Sequence, residues 1–168
     1  MKQFSNILWL AILSGLLISG CYTPPDYPNE PVIEYLRMNK SAIAQGNQNA
    51  QPDTLKITFG FTDGDGNLSS ESDSMDVFLT DSRDGFETTF KLPVLPTQGV
   101  GNGISGEITV KIPNTPFQIC CTYPNGAPAC LPNDQFPTDE FYFTIQLRDR
   151  AGNLSNTIQT TPITVLCN

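Results

Sequence analysis

The chain has 168 residues, of which 17 are acidic, nine are basic and none is histidine. Its net charge of −8 opposes nucleic-acid binding, which needs basic side chains to displace counterions from phosphates. The lack of histidine excludes serine–histidine and cysteine–histidine nucleophile pairs and every histidine-ligated metal site. We therefore predict a protein that is not an enzyme and has no catalytic residues.

The first 21 residues have the pattern of an exported lipoprotein. Lys2 supplies a positive charge, and the apolar run Ile7–Ile18 leads into Leu17-Ile18-Ser19-Gly20-Cys21. This ending resembles the lipobox of bacterial lipoproteins, in which a lipid is attached to the cysteine and the preceding residues are removed. The apolar run is shorter than the roughly 20 residues that a spanning helix needs. An ordinary secretory signal with an incidental cysteine is the alternative.

The lipobox resemblance implies a signal peptide over residues 1–20 and a mature chain that begins at a lipidated Cys21. Tyr22 after the cysteine, in place of aspartate, implies sorting to an outer membrane, with the domain on its periplasmic face or at the cell surface. An outer-membrane β-barrel protein for transport, secretion or assembly is then the expected partner. Residues 21–31 contain four prolines and are expected to form a semi-rigid tether that extends by about 3.1 Å per residue.

Residues 32–168 show short alternating patterns and turn residues typical of β-strands, without helical periodicity. The segment Asn39–Asp53 is polar and is predicted to be a loop, and Asp81–Gly85 is predicted to be a hairpin turn. We predict one all-β domain, an immunoglobulin-like antiparallel sandwich of about seven strands, with a closed barrel as the alternative. The predicted strands are Val32–Met38, Leu55–Phe61, Met75–Thr80, Phe86–Leu92, Ile104–Ile112, Phe141–Leu147, and a last one over Ile158–Thr160 and Ile163–Val165.

Four cysteines beyond Cys21 predict two disulfide bonds, because an even number of cysteines in an exported domain is typical of such bonds. They are Cys120, Cys121, Cys130 and Cys167. A zinc site is the alternative, although the sequence has no C-x-x-C pair. A direct bond between the two adjacent cysteines would strain the peptide between them. We therefore expect one of them to bond Cys130 and the other to bond Cys167.

Residues 63–69 and 149–155 share the pattern Asp-x-x-Gly-Asn-Leu-Ser, and each copy follows an alternating strand. Aspartate can cap such a turn, glycine and asparagine tolerate a positive φ, and the leucine is expected to return to the core. The turn is similar to those of immunoglobulin-like domains in exported Bacteroidota proteins. The shared pattern thus has a structural explanation.

The same two turns also suggest a calcium site. If their strands leave the sandwich at one end, Asp63, Asp65 and Asp149 converge, and Ca²⁺ prefers carboxylate and carbonyl oxygens. The EF-hand pattern is absent, because its sixth loop position requires glycine and the chain has leucine there. Neutralisation of the acids by Arg148 and Arg150 is the alternative that needs no metal.

The sequence predicts a non-catalytic, membrane-anchored interaction module. Eight acidic residues lie between Asp63 and Glu87 and are opposed only by Arg83, which predicts a solvated face or a docking surface for a basic partner. The alternative function is a calcium-dependent lipoprotein that binds glycans or another ligand at the surface. Its exposed aromatic residues would be Tyr35, Tyr123 and Tyr142.

Overall fold

The computed structural model describes residues 26–46, 51–69, 72–95 and 103–167. The expected signal peptide and Cys21 lie outside these ranges. Within the described ranges the chain is all-β, and no helix there is long and apolar enough to cross a membrane. The strands are β1 (Val32–Met38), β2 (Ala42–Ala44), β3 (Thr54–Asp63), β4 (Val77–Asp81), β5 (Glu87–Phe90), β6 (Ile104–Pro113), β7 (Thr138–Phe141), β8 (Phe143–Leu147), β9 (Ile158–Gln159) and β10 (Ile163–Leu166).

The strands form three open sheets with the orders β1-β3-β6, β5-β4-β8-β9 and β2-β10-β7. Every pairing is antiparallel except that of β2 with β10. Strands β7 and β8 follow each other directly and are separated only by Tyr142, where the chain passes from one sheet to another. The predicted all-β class with antiparallel sheets is confirmed, and within the described ranges none of the three strand orders closes on itself.

A single hydrophobic cluster joins the sheets. In β3, Leu55, Ile57 and Phe59 are fully buried, whereas Lys56 between them is exposed. The predicted alternation holds around Lys56 but not further along the strand, where Thr58 and Gly60 are buried as well. Each buried apolar side chain contributes about 1.5–3 kcal/mol. Strand β8 adds three more buried side chains to the cluster, namely Phe143, Ile145 and Leu147.

Several sequence predictions were wrong in detail. About seven strands were predicted, but the described residues form ten, and the predicted strand Phe141–Leu147 is broken at Tyr142. The predicted loop over Asn39–Asp53 contains β2, because Ile43 is buried and the strand pairs with β10. A three-residue strand among polar residues has too few apolar positions to show a pattern. The leucines of the two related turns also differ, since Leu68 is buried as expected but Leu154 is half exposed.

The strand register defines two ends of the sandwich. Strands β3 and β8 end at one of them, and β1 and β6 begin there, because Val32 pairs with Thr62 and Ile104 pairs with Asp63. We call this end, with Asp63 and Asp149, the acidic pole. The opposite end holds the cysteines 120, 121, 130 and 167, and we call it the disulfide pole.

Candidate metal centre and the opposite pole

Each of the two related turns at the acidic pole begins with a buried aspartate that caps it. The Asn67 N–H donates to Asp63 Oδ2 (2.8 Å), and the Asn153 N–H donates to Asp149 Oδ1 (2.7 Å). The glycine before each asparagine has a left-handed φ, 68° in the first turn and 93° in the second. Such a φ favours glycine, which explains this position of the shared pattern.

The two turns differ in how many of their side-chain oxygen atoms accept a hydrogen bond. In the second turn, Asn153 Nδ2 donates to Asp149 Oδ2 (2.7 Å), so both carboxylate oxygens accept a hydrogen bond. In the first turn, Asn67 Nδ2 donates to Asp65 Oδ2 instead (2.7 Å). This leaves Oδ1 of Asp63, of Asp65 and of Asn67 buried without a hydrogen-bond partner. An unsatisfied buried acceptor costs about 1–3 kcal/mol, and more when it is charged.

The three aspartates come together as expected from the ends of their strands. One carboxylate oxygen from each of Asp63, Asp65 and Asp149 lies within 4.8 Å of the others. Burial, together with repulsion by the neighbouring Asp65 and Asp149, raises the pKa of Asp63 to about 6. The cluster therefore concentrates negative charge in a place with little access to water.

In the described residues, the two arginines of the second turn bond to other groups and form no ion pair with these aspartates. Arg150 Nε donates to the Ser69 carbonyl (2.7 Å). Arg148 Nη2 donates to the Met75 carbonyl (2.7 Å), and its guanidinium lies over the ring of Phe78 at 5.0 Å. The metal-free alternative based on Arg148 and Arg150 therefore has no direct ion pair in the described residues to support it.

The donor atoms of the acidic pole are all oxygens. Ca²⁺ takes six to eight oxygen ligands from carboxylates, amide and backbone carbonyls and water. Asp63, Asp65 and Asp149 supply carboxylates, and Asn67 adds an amide oxygen that the sequence analysis did not include. Its place four residues after Asp63 in the turn was the signal that could have identified it. The arrangement suits a hard cation, and binding of one stays a prediction.

The disulfide pole contains the two expected bonds. Cys120 is bonded to Cys130, with a Cα–Cα distance of 4.6 Å, and Cys121 is bonded to Cys167, with a Cα–Cα distance of 5.8 Å. Cys121 and Cys167 are fully buried and belong to the core. The prediction of two disulfide bonds is confirmed, and the zinc alternative is wrong because all four sulfur atoms are paired.

Arg83 organises the disulfide pole, and the sequence analysis did not identify this role. Its Nη1 donates to Asp139 Oδ2 (2.7 Å) and to the Cys120 carbonyl (2.8 Å), and its Nη2 donates to Asp81 Oδ2 (2.6 Å). The guanidinium also lies 4.1 Å from the ring centroid of Phe141. The sequence contained one signal for it. Arg83 is the one basic residue between Asp63 and Glu87, and a single base among acids is expected to form ion pairs with them.

We predict that Asp139 makes the protein less stable in acid. Burial raises the pKa of its carboxyl, but hydrogen bonds from the Thr122 N–H, Arg83 and the Thr122 hydroxyl outweigh burial and hold the pKa below its ordinary value. The folded state therefore gains stability from ionised Asp139 above the unfolded pKa of about 3.9. It loses this stability as the pH falls from there through the folded value.

Urea unfolding at pH 7 and pH 3 measures this effect. The drop in unfolding free energy between the two pH values should be smaller in Asp139→Asn than in the unaltered protein. Asp134→Asn, at an exposed position nearby in the chain, is the control and should leave the drop unchanged. An equal drop in all three proteins would contradict the prediction.

Two exposed aromatic side chains stand out at the disulfide pole. Phe117 is 84% exposed and has a left-handed φ of 71°, and Phe86 is 67% exposed. A left-handed φ strains a bulky residue, and such strain is concentrated at functional positions. Both side chains line one groove, together with Ile112 and Phe143. The disulfide pole thus presents apolar surface to its surroundings.

The tyrosines do not form a shared exposed surface. Tyr123 is buried and its hydroxyl donates to the Leu131 carbonyl (2.6 Å). Tyr35 is half-buried and forms a hydrogen bond with Thr161 (3.2 Å).

No known protein family matches the sequence, and no curated protein or solved structure is significantly similar to it.

Proposed function

We propose that this protein is a non-catalytic lipoprotein that is anchored in an outer membrane through Cys21 and binds an integral β-barrel protein with its disulfide pole. The lipobox pattern supports the anchor. The separation of the two poles supports an orientation in which the disulfide pole points away from the tether. An immunoglobulin-like arrangement is part of this proposal. It is supported by the sheet order β1-β3-β6, which corresponds to strands A, B and E of such domains.

The observation that carries the proposal is that the tether and the exposed aromatic side chains are at opposite poles. The tether reaches the acidic pole, where β1 begins at Val32. The ten residues of β3 separate the poles by about 33 Å. Phe86 and Phe117 therefore face away from the end at which the chain enters. A lipid anchor would confine this surface next to membrane partners and raise their effective concentration.

The structure gives less support to the alternative of a glycan-binding lipoprotein. Sugar binding by stacking needs exposed aromatic faces, and Tyr123 is buried in the core. Of the three tyrosines named for this role, only Tyr142 is exposed. The sole tryptophan, Trp9, belongs to the expected signal peptide. We therefore propose the protein-binding function first.

Gentle detergent extraction and affinity purification of the full-length protein from its native membrane test the proposal. We expect an integral outer-membrane protein to co-purify, because the disulfide pole is the apolar contact surface. Phe86→Ser combined with Phe117→Asn should abolish co-purification without unfolding the domain, since both side chains are exposed and asparagine tolerates the left-handed φ.

Val94→Ser combined with Leu154→Ser is the control, because these apolar side chains are also exposed, at 50% and 51%, but lie at the acidic pole, where Leu154 is in the second turn and the Leu95 N–H donates to Ser69 Oγ of the first. This control variant should retain the partner. Recovery of the unaltered protein alone, as a monodisperse monomer, would contradict the proposed function. Retention of the partner by the Phe86 and Phe117 variant would contradict the proposed surface.

A further inference from the structure

We propose that Ca²⁺ binds at the acidic pole to side-chain oxygens of Asp63, Asp65, Asn67 and Asp149, and that the bound ion holds the tether against the domain. The first observation is the fully buried Asp63, whose Oδ1 has no hydrogen-bond partner although it belongs to a cluster of carboxylates. Buried polar atoms in folded proteins nearly always have a partner. A cation between the two turns supplies that partner.

The second turn serves as an internal comparison that separates folding from binding. It has the same Asp-x-x-Gly-Asn pattern, but its third position, which corresponds to Asp65, is Ala151. The turn still forms the hydrogen bonds from Asn153 to Asp149. An acidic side chain at this position is therefore not needed to form the turn. Asp65 instead adds negative charge beside Asp63, which opposes folding unless a positive charge balances it.

The number of free oxygens in the first turn agrees with a shared ligand. Oδ1 of Asp65 and of Asn67 are buried and unpartnered, as is that of Asp63, so three neighbouring acceptors lack donors at once. Both oxygens of Asp149 accept one hydrogen bond each, and a carboxylate oxygen has a second lone pair for a cation. Four residues thus supply side-chain ligands, and water or backbone carbonyls complete the six to eight that Ca²⁺ takes.

The ligand chemistry favours Ca²⁺ over other metal ions. Zn²⁺ in proteins is bound largely by cysteine sulfur and histidine nitrogen, and the acidic pole offers only oxygens. Mg²⁺ requires near-ideal octahedral geometry and keeps several of its waters. Three carboxylates and an amide on two separate turns suit the larger and more flexible coordination of Ca²⁺.

The same loop also holds the tether. The Gly64 N–H donates to the Pro28 carbonyl (2.7 Å), between the proposed ligands Asp63 and Asp65. A Cβ atom at Gly64 would collide with the backbone carbonyl oxygens of Tyr27 and Pro28. Because the peptide that contacts the tether connects two ligands of the ion, fixing those ligands fixes the tether contact. Bound Ca²⁺ would then set the orientation of the domain relative to its anchor.

Calorimetric titration of the full-length protein in detergent, after chelation, tests the binding step. We expect one Ca²⁺ per chain, a rise in melting temperature, and much weaker binding of Mg²⁺. Asp65→Ala should weaken Ca²⁺ binding by at least about 10-fold, because affinity follows the number of charged ligands. The substitution should leave the chelated protein folded, because the second turn forms with alanine at the corresponding position, Ala151. Asp134→Ala is the control and should bind Ca²⁺ normally.

The tether step is measured separately by the ¹⁵N heteronuclear NOE of the Tyr27 amide. It should rise when Ca²⁺ is added to the unaltered protein and stay low in Asp65→Ala. Gly64→Ala keeps every proposed ligand but removes the space for the tether, so it should bind Ca²⁺ and leave Tyr27 mobile. Absence of both heat and a melting shift in the unaltered protein would overturn the site. Binding with no change at Tyr27 would overturn the tether contact, and neither result depends on co-purification of a partner.

Discussion

Arg83→Met is expected to lower the free energy of unfolding by about 3 kcal/mol, since removing one partner of a buried ion pair leaves the other charge uncompensated. Arg83 forms ion pairs with Asp81 and Asp139, and the three side chains are only 12–19% exposed. Methionine keeps the apolar stem but removes the charge and the hydrogen bond to the Cys120 carbonyl. The loss is measured by urea unfolding at pH 7.

Arg37→Met is the matched control for this result. Arg37 also forms an ion pair, with Glu107, but the two side chains are 60% and 51% exposed. Solvent screens such a pair, so its removal should lower the free energy of unfolding far less than Arg83→Met does. An equally small loss for Arg83→Met would show that the Arg83 network contributes little to stability.

Removal of the Cys121–Cys167 bond by alanine at both positions is expected to cost roughly 4 kcal/mol. The bond closes a loop of 46 residues, and the entropy that it removes from the unfolded chain grows with loop length. The bond between Cys120 and Cys130 closes a loop of only 10 residues, and its removal should cost about 3 kcal/mol by the same relation.

Guanidinium unfolding of the two double variants compares these losses in one protein. Cys121 and Cys167 are also fully buried, so their replacement additionally leaves space in the core and increases the difference. A larger loss in the variant without Cys120 and Cys130 would contradict the account, because the shorter loop and the less buried pair would then dominate.

The long central strands and the convergence of the turns were predictable from sequence. Alternation of apolar and polar residues made β3 and β6 predictable from a single sequence. In β6 it reflects one face that packs on the core and one that faces water, whereas in β3 the second face is partly covered, since Thr58 and Gly60 are also buried. Because strands of a sandwich run from one end to the other, the order of the strands also placed Asp63 beside Asp149. The same reasoning brought Cys167 to the loop that contains Cys120 and Cys121.

The remaining features depend on contacts between distant parts of the chain. Strand β2 exists because Ile43 packs in the core beside β10, and its own sequence has almost no pattern. The break at Tyr142 falls within an uninterrupted alternation, so only the neighbouring sheets determine it. The direction of a long arginine side chain is likewise set by its surroundings, and Arg148 and Arg150 donate to carbonyl groups instead of pairing with the aspartates.

We propose above all that an acylated Cys21 holds the domain at a membrane. Mass spectrometry of the amino-terminal peptide of the protein, purified from its native membrane, tests this claim most directly. We predict a mature chain that begins at Cys21 and carries covalently attached fatty-acyl chains. A chain that still begins at Met1, or one that begins at an unmodified Cys21, would contradict the account.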